Sequence, residues 1–305
     1  MIAVELRSLC KSFKASPVID HLSLRIEAGE MIALLGAGGA GKTTLLDMMS
    51  GLLIPDSGEI EVLGYRLPHE TYRVHRLLGI VQQTMALYEN LTAWDNLAVY
   101  ATISGIPRKK KQFHILNVLS QVQLLEHGHS RVFTFSSGMK RRLALGCALL
   151  ADPPLIYLDE PTAGIDVQER FVLWDHIRAL RTLNKTCVIA TSSFAEACAL
   201  CDRIALIVSG RLLTIDTPEQ LMQCYGDIGI ELQLAHPLTS LVELEAMRGI
   251  KKIVQQGAQL CITAVDSRQV LPQVIALVAR EQEIKALRVR ELRLDEILAC
   301  LQTCC

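Results

Sequence analysis

The sequence predicts an α/β protein built on a mostly parallel sheet, followed by a small α+β domain, and three observations carry that prediction. Five short apolar runs, MIALLG (31–36), LGIV (78–81), LIYLDE (155–160), CVIAT (187–191) and RIALIVSG (203–210), have strand length and little polar interruption. Strands buried on both faces read this way, and helical patterns separate most of them, as in a sheet covered on both sides. A glycine-rich turn follows the first run and opens a helix. From about residue 229 the character shifts to strands and helices in the order βαββαβ with an added helix.

Length and composition bound the rest. A chain of 305 residues suits one large core plus a second, smaller one, and we divide it into a domain at 1–222 and an accessory domain at 229–305. Half the residues are apolar, 21% are charged and the formal net charge is -1. That balance gives no overall field to hold nucleic acid, so no nucleic-acid partner is expected. No run approaches the roughly 20 apolar residues of a spanning helix. The start, MIAVELRSLCKSF, lacks the basic-then-apolar layout of a signal peptide. The expectation is a soluble, intracellular protein. Ten cysteines are scattered without the spacing of a disulfide framework and read as reduced thiols. Cys198 and Cys201 form a C-x-x-C with no second pair nearby, which reads as helix packing rather than a metal site. Cys300, Cys304 and Cys305 cluster at the end of the sequence, where a reactive role stays open.

Taken in order, MIAVELRSLCKSF and VIDHLSLRIEAGE alternate apolar and polar residues, as half-buried antiparallel strands do. Residues 85–150 turn helical: TAWDNLAVYATISG opens on a capping Thr92, and KKKQFHILNVLSQVQLL carries an apolar stripe at helical spacing. The basic run RKKK at 108–111 is a solvated helix start or a contact patch. Beyond TPEQLMQCYGDIG the spacing predicts strand (GIELQLA), helix (PLTSLVELEAM), two strands (IKKIVQQ, AQLCITAV), helix (RQVLPQVIALVAREQ), strand (IKALRVREL) and a closing helix (LDEILACLQ). That order suggests a ferredoxin-like domain.

Two motifs carry chemistry. LLGAGGAGKTT at 34–44 fits G-x-x-x-x-G-K-[ST], with Gly36, Gly41, Lys42 and Thr43 in the fixed places between a strand and a helix. Backbone N–H groups from Gly38 to Thr43 can wrap a polyphosphate, Lys42 can reach its terminal oxygens, and the Thr43 hydroxyl can hold Mg²⁺. PLIYLDEPTAGID puts Asp159 and Glu160 at the carboxyl end of an apolar strand, where open α/β sheets bind ligands. One carboxylate can fix Mg²⁺ through water while the next orients an attacking water.

The order of these motifs resembles the nucleotide-binding domain of an ATP-binding-cassette (ABC) transporter over about residues 3–220: a P-loop NTPase with a mixed sheet, an antiparallel β subdomain and a helical subdomain. The resemblance implies ATP and Mg²⁺ as ligands, with the whole loop Gly36, Ala37, Gly38, Gly39, Ala40, Gly41, Lys42, Thr43 and Thr44 around the phosphates. It implies Phe13 as the aromatic that stacks on adenine. Gln83, in GIVQQTMALYENLT, matches the glutamine that senses Mg²⁺ and the γ-phosphate, with Gln82 beside it where many relatives carry proline. Asp159 is matched to Mg²⁺ and Glu160 to the catalytic carboxylate. FSSGMKRRLALGCALLADPP resembles the signature loop that contacts the nucleotide of the opposite subunit. Ser136 and Gly138 match it and Ser137 replaces the usual glycine, while Asp166 in AGID matches the loop that crosses the dimer interface.

Aligning TSSFAEA (191–197) to the family places Ser193 where the switch histidine normally sits. Serine is shorter and uncharged, and cannot bridge the same gap to the γ-phosphate. Losing one transition-state contact costs about 10²–10³ in rate in other enzymes. Micromolar-to-millimolar MgATP binding with weakened hydrolysis is therefore expected. The segments SSGMKRRL and ENLTAWDNL look most like the ABC-2 export branch, including drug-efflux ATPases. This implies a permease on a separate chain, a place on the cytoplasmic face of the membrane, and a second, intact cassette as partner in a heterodimer. A nucleotide-gated regulatory module with little turnover is the alternative. A cassette of translation or DNA repair is disfavoured by the lack of sustained heptads.

Overall fold

The computed structural model describes residues 1–14, 16–225, 228–264 and 267–291. Its internal contacts divide the chain into two units, Met1–Pro218 and Glu219–Cys305.

In the first unit, β1 (Ile2–Phe13) and β2 (Ser16–Glu27) pair antiparallel. β3 (Met31–Leu35) runs into a glycine turn and α1 (Lys42–Met49). β4 (Ser57–Val62) and β5 (Tyr65–Leu67) complete an antiparallel sheet of order β2-β1-β4-β5. The short α2 (Thr71–His75) leads to β6 (Leu78–Val81). Three helices follow: α3 (Ala93–Ile103), α4 (Arg108–Gln121) and α5 (Ser137–Leu149). The chain then alternates through β7 (Leu155–Asp159), α6 (Val167–Thr182), β8 (Thr186–Thr191), α7 (Phe194–Leu200), β9 (Arg203–Val208) and β10 (Arg211–Asp216).

The second sheet has the order β10-β9-β3-β8-β7-β6, with β10 antiparallel and the other five strands mutually parallel. Every residue of β3, β7 and β8 is buried, which is why these strands read as unbroken apolar runs. One apolar core joins the inner faces of the two sheets through α1, using Leu6, Leu24, Leu34, Leu45, Met48 and Tyr157 among others. The helices α3, α4 and α5 have their own core, built on Leu97, Ile115, Val118, Leu119 and Leu143. Thr92 caps α3, its Oγ1 accepting from Asp95 N at 3.0 Å.

α8 (Pro218–Tyr225) passes into the second unit, which holds β11 (Ile228–Leu234), α9 (Val242–Glu245), β12 (Ile250–Gln256), β13 (Gln259–Ala264), α10 (Ser267–Glu281) and β14 (Ile284–Glu291). Its sheet is fully antiparallel with the order β12-β13-β11-β14, the arrangement of a ferredoxin-like fold. Alternate residues Ile230, Leu232, Leu260 and Ile262 meet Val270, Val274 and Val278 of α10, which recur at helical spacing. The helix expected over 237–247 is a single turn, Val242–Glu245. Ahead of it, Leu238 is buried in the core and the Ser240 hydroxyl takes the N–H of Val242, so the segment before the turn follows a side-chain-capped path instead of a helix. The expected closing helix, LDEILACLQ, and the cysteines at 300, 304 and 305 lie outside the described residues. In the C-x-x-C, Cys201 is buried and that burial pushes its thiol well above the ordinary range.

Candidate nucleotide-binding site

The sheet order places the site. β3 ends in the glycine loop, β7 ends in the two acids, and β8 lies between them, so the stretch after β8 meets both. The loop is shaped by close approach. Gly41 has φ +98°, and a Cβ there would stand 2.8 Å from Val18 O and 2.7 Å from Ile19 Cδ1 of β2. A Cβ on Gly36 would stand 2.5 Å from Ile207 O. Around Gly38 and Gly39 the corresponding space is open, which leaves backbone N–H groups approachable by an anion at the start of a helix. Ala40 is tied down by Gly210 N, which donates to its carbonyl at 3.2 Å.

Lys42 is 6% exposed. Its ammonium donates to Gly36 O (2.7 Å) and Ala37 O (3.1 Å) and lies 3.4 Å from Glu160 Oε1. The cation therefore sits within the loop, next to Thr43 and Thr44 in the first turn of α1.

Thr43 Oγ1 donates to Asp159 Oδ2 at 2.8 Å. The other carboxylate oxygen, Asp159 Oδ1, is buried and has no hydrogen-bond partner. Burial pushes the Asp159 carboxyl above the ordinary range; Glu160 adds to the rise, while the Thr43 hydrogen bond opposes it. Asp47, on α1, is likewise pushed up by burial and by Asp159. A cavity of about 260 Å³ opens here, lined by Thr43, Asp47, Gln82, Gln83 and Asp159 with apolar neighbours. A hydroxyl, an unpartnered carboxylate oxygen and an excess of negative charge fit Mg²⁺, which takes one or two protein oxygens and keeps the rest for phosphate and water. The Gln82 carbonyl accepts from Arg141 Nη1 at 3.1 Å, and this buried guanidinium on α5 links the helical subdomain to the edge of the cavity.

Glu160 has φ +45°, the left-handed region that a residue other than glycine holds only when its surroundings impose it. Its N–H donates to Ala190 O at 2.8 Å, and its Oε2 accepts from Ser192 Oγ at 3.3 Å. Ser193 is placed differently. Its Oγ accepts from Glu196 N at 3.3 Å and caps α7, while its N–H donates to Thr191 Oγ1 at 3.0 Å. The serine of TSSFAEA that reaches Glu160 is Ser192, and the Ser193 hydroxyl is taken up in capping.

The remaining residues lie apart from this cluster. Ser136 caps α5 by accepting from Met139 N at 3.1 Å, Ser137 is the exposed first residue of that helix, and Gly138 is buried against Glu169 of α6. Asp166 caps α6 by accepting from Glu169 N at 2.9 Å. Phe13 is half-exposed at the tip of the β1–β2 hairpin, with Lys11 Nζ 5.7 Å from its ring centroid. Sequence reasoning missed Ser192, Arg141 and the buried Glu196. The cue for the serines was Ser193 three residues before Glu196, the spacing of a capping box.

A glycine loop between strand and helix, a buried lysine inside it, and a threonine–aspartate pair at the end of a nearby parallel strand define a P-loop nucleotide-binding cassette for ATP with Mg²⁺. The chain belongs to the ABC transporter family, whose pattern matches residues 19–163. It is 37% identical over 250 residues to the Nod factor export ATP-binding protein I of Sinorhizobium fredii, covering 81% of this chain and 73% of that protein. It is 31% identical over 299 residues to the linearmycin resistance ATP-binding protein of Bacillus subtilis, covering 96% of each. Among solved structures, the ATP binding subunit of an ABC transporter superposes with a TM-score of 0.65 at 28% identity, covering 73% of this chain and 93% of that one.

Proposed function

We propose that this chain is the ATP-driving subunit of an exporter whose permease is a separate chain, held at the cytoplasmic face of the membrane and hydrolysing ATP weakly by itself. The division into a cassette at 1–222 and an accessory domain at 229–305 is part of this reading. Export is supported by the names of two relatives, one for Nod factor export and one for linearmycin resistance. Among the described residues no helix is long and apolar enough to cross a membrane, which agrees with a permease on another chain.

The observation that carries the weak hydrolysis is the 3.3 Å contact between Ser192 Oγ and Glu160 Oε2. In this reading Ser192, not Ser193, occupies the switch position. P-loop N–H groups and Lys42 hold the phosphates, and Glu160 orients the attacking water. Thr43, Asp159 and Gln83 would hold Mg²⁺, which when bound would neutralise charge on the phosphates. A hydroxyl beside Glu160 supplies neither the reach nor the charge of a histidine at the γ-phosphate, so binding outlasts turnover. Ser136, Ser137, Gly138 and Asp166 serve the nucleotide of a partner cassette, and Phe13 stacks on adenine. A serine at both the switch and the signature positions is best tolerated in a heterodimer with an intact second cassette.

The test is phosphate release by the purified protein and by its Ser192→His and Ser193→His variants, with ATP affinity measured in parallel. Ser192→His should raise turnover by up to about 10²-fold at little cost in affinity, and Ser193→His should not. A gain confined to Ser193→His would return the switch role to that residue. Tight binding with no gain in either variant would favour a nucleotide-gated module, and fast turnover by the unaltered protein would remove the weak-hydrolysis reading.

A further inference from the structure

We propose that the tip of the α3–α4 hairpin docks on an anionic lipid surface, a contact separate from the nucleotide site and from any permease. Four cations, Arg108, Lys109, Lys110 and Lys111, fill the first turn of α4. Positive charge is unfavourable there, because the helix dipole already places partial positive charge at its N-terminus. Lys111 is accounted for locally, since its ammonium donates to Thr102 Oγ1 at 2.6 Å near the end of α3. Arg108, Lys109 and Lys110 are exposed, and none forms an ion pair among the described residues. Residues 96–125 contain no Asp or Glu, in a chain that has 32 of them among 305 residues. A surface turn that needed only solubility would mix both signs; this one concentrates a single sign.

Apolar side chains flank the cations. Apart from Met1, the two most exposed large apolar side chains among the described residues are Ile103 (73%) and Phe113 (72%). Both belong to this hairpin, one at the end of α3 and one in the second turn of α4. Lys109, Phe113 and Leu116 recur at i, i+4 and i+7 and share the outer face of α4, while Ile115, Val118 and Leu119 face the core of the helical subdomain. Basic residues interleaved with an exposed aromatic and aliphatic side chains suit the headgroup boundary of a bilayer, where ammonium groups meet lipid phosphates and apolar tips enter the acyl edge. An acidic peptide or a nucleic acid would use the cations and leave Ile103 and Phe113 in water.

The full-length protein is sedimented with vesicles of phosphatidylcholine alone and of equal parts phosphatidylcholine and phosphatidylglycerol. Binding should require the anionic lipid and weaken with added salt. Each cation near such a surface contributes a factor of about five, so Lys109→Gln with Lys110→Gln should weaken binding by about 25-fold. Phe113→Ser should weaken it several-fold while keeping the salt dependence. A control pair in the second unit, Lys285→Gln with Arg288→Gln, should change little. The altered residues are exposed, and thermal melts by circular dichroism check that folding is unchanged. Equal binding to both vesicle types, an equal loss in the control pair, or no vesicle binding would overturn the proposal. So would retention of polyglutamate or duplex DNA through Lys109 and Lys110 without vesicle binding, which would assign the tip to an acidic macromolecule.

Discussion

Glu196 sits on α7 at 1% exposure, and its carboxylate gathers donors from three other parts of the cassette. Thr191 Oγ1 at the end of β8 donates at 2.6 Å, Thr162 Oγ1 in the loop after β7 at 2.7 Å, and Trp174 Nε1 of α6 at 3.1 Å. Replacing Glu196 by alanine leaves all three donors in a dry interior, where each unsatisfied group costs about 1–3 kcal/mol. Two of the three are hydroxyls that can rotate toward other acceptors, so the total should fall near 3–5 kcal/mol rather than at the full sum. For a unit of this size each kcal/mol lowers Tm by about 2–4 °C, giving a drop of roughly 6–20 °C. Glu196→Gln keeps an acceptor oxygen for Thr162 and Trp174 and turns an amide toward Thr191 Oγ1, which already accepts from Ser193 N; it should cost only about 1 kcal/mol. Urea and thermal melts followed by tryptophan fluorescence, which reports on Trp174, measure both variants. An alanine variant within about 0.5 kcal/mol of the parent, or a glutamine variant as damaged as the alanine one, would refute the idea that this carboxylate ties the three elements together.

Asp159→Asn should make the cassette more stable at neutral pH while removing the Mg²⁺ dependence of nucleotide binding. Burial raises the Asp159 carboxyl above its ordinary value, so between the ordinary and the raised value the native state holds more protons than the unfolded one, and stability falls as pH rises. The advantage of the asparagine variant should therefore grow with pH through that window and vanish below the ordinary carboxylate range, as urea melts at a series of pH values would reveal; an advantage that is constant with pH would contradict it. Gly138→Ala puts a Cβ against the Glu169 side chain, whose Cβ is 2.7 Å away and which pairs with Arg142 at 3.6 Å. A loss of about 1–3 kcal/mol in thermal stability is expected, and an unchanged melt would show that α6 can give way. Lys42→Ala takes the cation from Gly36 O, Ala37 O and Glu160 and should weaken ATP binding at least tenfold, about 1.4 kcal/mol, by titration with a fluorescent ATP analogue; parent-like affinity would argue that the backbone cradle alone holds the phosphates.

The parallel strands were legible because burial on both faces leaves almost no room for polar residues, as the fully buried β3, β7 and β8 attest. The P-loop was legible because its spacing is set by local geometry: Gly41 at φ +98° and Gly36 against Ile207 O each exclude a side chain. Contacts that depend on register between strands distant in sequence were not. Three consecutive hydroxyls, Thr191, Ser192 and Ser193, look alike in a row of letters, and which one meets Glu160 depends on Asp159 standing opposite Ala190 in the sheet. With that register, Thr191 turns inward to Glu196, Ser192 turns to Glu160, and Ser193 is already the cap of α7. Because the oxygen that accepts from Glu196 N is committed to starting a helix, the hydroxyl that meets the Glu160 carboxylate is the one before it, a distinction of one residue that only the register of the sheet reveals.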